Sequence, residues 1–222
     1  MAGPSNPQTN LRAVLAKRYD ARIQITPVQI EVIAGAIASR GPGCNLLVFG
    51  TGYDSALWAD LNAGGRTLFV EDTEEWATRA EAQQLEVQRY TYSTTVTGTL
   101  ADPEAAQAKG ALLPTFLTGV RWDVILIDGP SAWRPHQPGR ALPICWTARL
   151  QDEATHVFLH DCERRIEGAF AQRLILPRGP WIVVPGVGRE RQLLWSIGRS
   201  PAFAKAGQAF SEPGAGQSRS GP

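Results

Sequence analysis

The sequence predicts a doubly wound α/β fold: a mostly parallel seven-stranded sheet with an antiparallel last strand and helices on both faces. Three observations carry that expectation. Short uninterrupted apolar runs such as NLLVF and DVILI have the composition of strands buried on both sides. Stretches with apolar residues at helical spacing alternate with them. The chain then closes on two successive strand-like runs, WIVVPG and QLLWSIG, instead of another helix.

In order along the chain, residues 1–10 are polar and are expected to be a flexible N-terminus. Thr26 stands as an N-cap before Pro27 at a first helical position, and Ile30, Ile33, Ala34 and Ile37 follow at helical spacing. Gly41-Pro42-Gly43 stops that helix. NLLVFG at 45–50 is the first strand; Gly50-Thr51-Gly52 breaks it, and a helical pattern resumes over 54–61. TLFVED at 67–72 is the second strand, with a helix from about Glu74. Residues 87–94 read as a third strand and 102–117 as a helix. WDVILIDGP at 122–130 holds the fourth strand and THVFLHD at 155–161 the fifth, followed by a helix over 164–176. The last two strands pair through 187–191. Residues 201–222 end in SEPGAGQSRSGP, which buries too little apolar surface to order and is expected to be a disordered tail. The folded part is thus one domain over 11–200.

Bulk composition narrows the function classes. A chain of 222 residues suits one sizeable domain. With 22 basic and 21 acidic residues the net charge is +1, which predicts neither a nucleic-acid nor a membrane partner. Cys44, Cys145 and Cys162 show no CxxC spacing, so neither a zinc site nor a disulfide framework is expected. No apolar run approaches the ~20 residues that span a bilayer. The expectation is a cytoplasmic protein, with its oligomeric state left open.

Chemistry is expected at the strand ends. In VFGTGYD, at 48–54, a buried strand breaks at glycine and enters a helix, so backbone can approach a ligand closely. Gly50, Thr51, Gly52, Tyr53 and Asp54 are therefore cofactor candidates. Ser55 occupies the third glycine position of a dinucleotide fingerprint, which disfavours a pyrophosphate cofactor. Glu71, about 20 residues on, ends the second strand where a carboxylate can accept from both hydroxyls of an adenosyl ribose; it is favoured over Asp72. The alternative is a solvated acidic loop, since Glu74 and Glu75 follow.

Asp128 ends the fourth strand, where it can orient the cofactor or an acceptor hydroxyl. His160 and Asp161 end the fifth, and either can serve as general base. The loop RPHQPGR at 134–140 reads as a substrate lid, with Arg140 as a clamp for an anionic group. Trp133 and His136 are further substrate-binding candidates. No metal is expected, although Asp128, His160 and Asp161 together offer a divalent alternative.

These motifs resemble the glucuronoxylan 4-O-methyltransferase family of plants, also described as a polysaccharide-biosynthesis or IRX15-like domain. The matching pieces are CNLLVFGTGYDSALWADLNAGGRTLFVED, WDVILIDGP, the PGR at 138–140 and THVFLHD. The resemblance implies a Rossmann-like class I methyltransferase fold that uses S-adenosylmethionine to methylate a hydroxyl of a glycan or other small acceptor, uronic-acid-like in the known members. Gly50, Gly52, Tyr53, Asp54 and Glu71 would lie at the cofactor; Asp128, Arg140, His160 and Asp161 would face the acceptor. Departures are visible. The family's loop is GLGYDS or GLGHDS, with an apolar residue where Thr51 stands, and the plant members' Golgi membrane anchor is not read here. Rival readings keep the fold but change the chemistry: N-methylation, an intramolecular reaction of the cofactor, or a catalytically silent binding protein.

Overall fold

The computed structural model describes residues 7–197; residues 1–6 of the expected flexible N-terminus, the last three residues of the expected domain, 198–200, and the expected tail at 201–222 lie outside them. The first helix, α1 (Pro7–Arg18), takes in residues 7–10, which the sequence assigns to the lead-in. The second, α2 (Pro27–Arg40), starts as its residues dictate. Thr26 Oγ1 accepts from the Gln29 amide and Gln29 Oε1 accepts from the Thr26 amide, so two donors left free by the helix start are satisfied reciprocally. Gln29 also donates through Nε2 to the Val184 and Arg191 carbonyls, at 3.2 and 2.7 Å, tying α2 to the end of the chain.

The strands are β1 (Asn45–Phe49), β2 (Arg66–Glu71), β3 (Glu86–Arg89), β4 (Val124–Ile127), β5 (His156–His160), β6 (Trp181–Val184) and β7 (Leu193–Ile197). They form one seven-stranded sheet in the order β3-β2-β1-β4-β5-β7-β6. All run parallel except β7, which is antiparallel to both β5 and β6. Alternation along each strand sorts side chains into two cores. Leu46 and Val48 of β1 pack with residues of α1, α2 and α3 (Ser55–Leu61). Leu47 and Phe49 face the other way, against α7 (Ala141–Leu150) and α8 (Arg165–Leu174). The predicted architecture is therefore the observed one.

Two predicted elements are corrected. The third strand stops at Arg89, not 94, because its partner β2 ends at Glu71 and the ladder closes on the bond from the Tyr90 amide to the Glu71 carbonyl. Tyr90 and Tyr92 turn instead into an aromatic cluster around Trp146, their ring centroids 5.2 and 5.8 Å from it. The helix predicted over 102–117 is shorter: α6 (Pro103–Lys109), then a single 3-10 turn at Thr115–Leu117. A helix the sequence leaves out, α5 (Val96–Ala101), precedes it. Thr95 accepts from the Gly98 amide at the start of α5, and Asp102 from the Ala105 amide at the start of α6. Each is an N-cap that restarts the chain.

What positions the site is the middle of the sheet. From β1 the chain steps outward to β2 and then β3, returns to the other side of β1 as β4, and continues to β5. The carboxyl ends of β1 and β4 thus border the crevice of an open sheet. There Gly50 and Gly129 meet backbone to backbone. A Cβ on Gly50 would stand 2.9 Å from the Gly129 Cα, and one on Gly129 only 2.5 Å from the Gly50 Cα. Gly50 also has φ +98°, a left-handed conformation. Read from sequence as a place for ligand to approach, Gly50 is required first by strand packing. Gly129→Ala is therefore expected to cost about 2 kcal/mol or more of stability; urea denaturation measures it, and an unchanged midpoint would show that the strand ends part freely.

Candidate active site at the ends of β1 and β4

The glycine loop is held from behind by β2. Glu71 is buried, and its Oε2 accepts from the Thr51 amide at 2.7 Å and the Thr51 hydroxyl at 2.9 Å. Its Oε1 accepts from the Asp72 and Thr73 amides. All four acceptor positions of this carboxylate are thus engaged within the chain. Thr51 has a reason to be polar: its hydroxyl is one of those four bonds. Ser55 has one too, since its hydroxyl accepts from the Gly52 amide at 2.8 Å. Asp72, half-buried, is pushed up to about 6 by burial and by the neighbouring Glu71 charge.

In front of the loop is a cavity of about 220 Å³. Thr51, Gly52, Tyr53 and Asp54 form one wall; Asp128, Ser131, Trp133 and Arg140 form another. Arg22, Ile23 and Gln24, from the link between α1 and α2, and Trp76, from α4 (Glu74–Glu81), complete it. Asp54 accepts from the Trp58 indole at 2.9 Å. Its carboxyl is raised to about 6, by burial first and then by the charge of Asp128.

Behind Asp128 lies a buried network built on Arg140, whose side chain is 4% exposed. Its guanidinium donates to the carbonyls of His160 at 2.6 Å and Asp128 at 2.5 Å, and Nε lies 3.5 Å from that of Pro130. It also pairs with the carboxylates of Asp128 at 3.3 Å and Asp161 at 3.1 Å. Arg164 pairs with Asp161 at 2.9 Å and lays its guanidinium 3.8 Å from the centre of the exposed Trp133 ring. His160 is fully buried and places Nδ1 2.8 Å from Asp128 Oδ1. Burial opposes its charged form, but the Asp128 carboxylate, by charge and hydrogen bond, outweighs burial and holds His160 above its usual range. Burial likewise opposes charge on Asp128, yet His160, Arg140 and Arg164 keep it below the ordinary carboxylate range.

The network sorts the predicted residues. Of the cofactor and substrate candidates, Thr51, Gly52, Tyr53, Asp54, Asp128 and Trp133 line the cavity, whereas Gly50 and Glu71 do not. His160 and Asp161 do not: the first stands behind Asp128, the second beneath two arginines. Arg140 touches the cavity but points inward, its donors committed to the chain, so the expectation of an outward clamp is corrected. His136 is exposed and contributes nothing to the cavity wall.

Nor is the loop a free lid. The Val96 and Thr97 amides donate to the carbonyls of Gln137 and Pro135, which pins it to the start of α5. Ligand atoms of Asp128, His160 and Asp161 lie within 4.8 Å of one another, a spacing a cation can bridge, but both acids already pair with arginine. Arg22, Trp76 and Arg164 were not foreseen. Arg164 alone had a signal, its three-residue spacing from Asp161. Replacing the buried Arg140 by Met takes one cationic partner from each of Asp128 and Asp161 and the donor from the buried His160 and Asp128 carbonyls, and is expected to destabilise the fold by about 3 kcal/mol or more, read by chemical denaturation; a loss below 1 kcal/mol would contradict its role.

Comparison with known proteins places the fold and the family. A solved protein of Klebsiella pneumoniae, named provisionally as an O-methyltransferase, superposes over 90% of this chain and 92% of its own, with a TM-score of 0.52 at 14% identity. That likeness establishes the Rossmann-like class I methyltransferase fold. Among curated relatives, arabinogalactan O-methyltransferase 2 of Arabidopsis thaliana is 34% identical over 174 residues, covering 66% of this chain and 60% of the relative. Glucuronoxylan 4-O-methyltransferase 1 of the same plant is 34% identical over 179 residues, covering 68% of this chain and 63% of the relative. The chain thus spans about three fifths of the length of these two relatives. The family model described as IRX15/IRX15L/GXM matches residues 28–107 and 101–178, which takes in the glycine loop, Glu71, Asp128, Arg140, His160 and Asp161. On that match, the chain belongs to the IRX15/IRX15L/GXM family.

Proposed function

We propose that this protein is an S-adenosylmethionine-dependent O-methyltransferase acting on a sugar hydroxyl of a glycan acceptor. One observation carries the reading: two carboxylates, Asp54 and Asp128, line the cavity in front of the glycine loop, and the charge of Asp128 raises the Asp54 carboxyl. A lining of this kind favours a cationic ligand. The named relatives, which methylate oxygen on arabinogalactan and glucuronoxylan, support the acceptor class.

The residues fit the cofactor at each end. Asp54 and Asp128 complement a sulfonium and an ammonium group. Glu71 can exchange its bond from the mobile Thr51 hydroxyl for one from a ribose hydroxyl, and Asp72 offers a second acceptor beside it. S-adenosylmethionine, when bound, supplies an electrophilic methyl group on sulfur. Methylation of an acceptor hydroxyl by that group would require a base of this chain to take the hydroxyl proton.

Asp128 is the group placed to take that proton. It faces the cavity, whereas His160 holds it from behind through Nδ1 and Asp161 is occupied by Arg140 and Arg164. Because its pKa is held low, Asp128 is ionised throughout the physiological range and always ready to accept from the acceptor hydroxyl. A base this weak gains little from proton affinity, so most of the acceleration rests on alignment.

The direct test incubates the full chain with S-adenosylmethionine and uronic-acid oligosaccharides, following S-adenosylhomocysteine and a gain of one CH2 on the glycan by mass. Asp128→Asn is expected to lower kcat by about 100-fold while affinity for S-adenosylhomocysteine changes far less. Full turnover in that variant would remove Asp128 as the base. Methylthioadenosine in place of S-adenosylhomocysteine would overturn methyl transfer itself.

A further inference from the structure

The cavity in front of the glycine loop has a neighbour across the Tyr53 ring. This second cavity, of about 270 Å³, shares Gly52 and Tyr53 with the first and is walled by Lys17, Arg18 and Tyr19 on one side and Arg79 on the other. Its charge is lopsided. Lys17 and Arg18 share a single carboxylate, Asp60, at 3.0 and 2.7 Å. Asp20, the acid in the wall, is held by Arg22 at 2.6 Å. Arg79 forms no ion pair among the described residues. Its guanidinium lies instead 4.7 Å from the centre of the Tyr53 ring and 5.2 Å from that of Trp76, and these two rings meet edge to face at 5.1 Å. Three cations and one acid thus line the cleft.

We propose that this cleft is an outer subsite for a carboxylate-bearing sugar of the acceptor, adjoining the sugar that is methylated, with Arg79 as the clamp. The proposal rests on the reading of the first cavity as a methyl-transfer site and adds to it a second contact on the same acceptor. A planar guanidinium presents paired donors that match a carboxylate, and its contact with the Tyr53 and Trp76 rings restrains the side chain beforehand, so less freedom is lost on binding. Arg140 points inward and Arg22 is neutralised by Asp20, which leaves Arg79 as the unpaired guanidinium beside Tyr53. Tyr19 is 50% exposed on the opposite wall and offers a flat apolar face of the kind that covers the C–H side of a sugar ring. A cleft combining cations with an aromatic face suits an acidic sugar better than a neutral sugar or a small inorganic anion.

The test is calorimetric titration of the full chain with two hexasaccharides of equal length, one of galacturonic acid and one of neutral xylose. The acidic hexamer is expected to bind about tenfold tighter or more, with an affinity that falls as NaCl is raised. Arg79→Gln is expected to bring the two affinities close to parity while affinity for S-adenosylhomocysteine and the thermal midpoint stay unchanged. Lys17→Gln, on an exposed side chain, is the second variant and should narrow the preference severalfold. Equal binding of the two hexamers, no binding of either, or an undiminished preference in Arg79→Gln and Lys17→Gln would overturn the proposal. Failure of the methyl-transfer reading registers separately, as wild-type protein that does not bind S-adenosylhomocysteine.

Discussion

Much of this structure depends on one buried guanidinium. Arg140 enters the space behind β4 and β5 and finds there the carbonyls of Asp128 and His160 and the carboxylates of Asp128 and Asp161. A cation so far from water has to be paired and fully hydrogen-bonded, and the strand ends supply that pairing. The consequences spread outward. Asp161 is held at φ +57°, a left-handed conformation that a non-glycine residue adopts at a cost of about 1 kcal/mol or more, between Arg140 and Arg164. His160 is locked against Asp128, and Asp128 is left as the carboxylate of the network that meets the cavity. Arg164 carries the network to the surface, where its guanidinium backs the exposed Trp133 ring.

A second constraint brings the cofactor loop to that network. The contact of Gly50 with Gly129 lets the ends of β1 and β4 close to a distance that no side chain permits. Asp54 and Asp128 are thereby drawn to one cavity, where Asp128 is held ionised and Asp54 takes a proton more readily than an ordinary carboxylate. In water two such acids would ignore each other; here burial and mutual repulsion raise Asp54 to about 6. Strand packing, not loop sequence alone, therefore makes a pocket that prefers a cation. The same loop is steadied from the other side by Glu71, so three strands fix its shape.

The sequence made the fold legible because its signals were local and agreed with one another. NLLVF and DVILI are too apolar for a one-faced strand, and Thr26-Pro27 marks a helix start that the structure reproduces as a capping box. The early end of the helix predicted over 102–117 was also legible, in Gly110 and Pro114, but the helical propensity of the alanines before them masked it. The end of the third strand was not legible, since it is set by where β2 stops. The candidate site divides in the same way. Loop residues 50–54, Glu71 and Asp128 follow from strand-end position alone. The inward turn of Arg140, the burial of His160 and the Arg22–Tyr53–Arg79 stack depend on contacts between distant segments, which carry no mark in the local sequence.

On the reading proposed above, Asp54 and Asp128 make the cavity a site for a cationic cofactor. Calorimetric titration of S-adenosylmethionine between pH 5 and 8 tests it most directly. Ionised Asp54 favours the cation, so affinity should be full above about pH 6 and weaken below it, by up to tenfold per pH unit, as the carboxyl takes a proton. Asp54→Asn should remove that dependence and bind weakly at every pH. Affinity that is flat from pH 5 to 8 in the wild-type protein, or an unchanged slope in the variant, would contradict the claim.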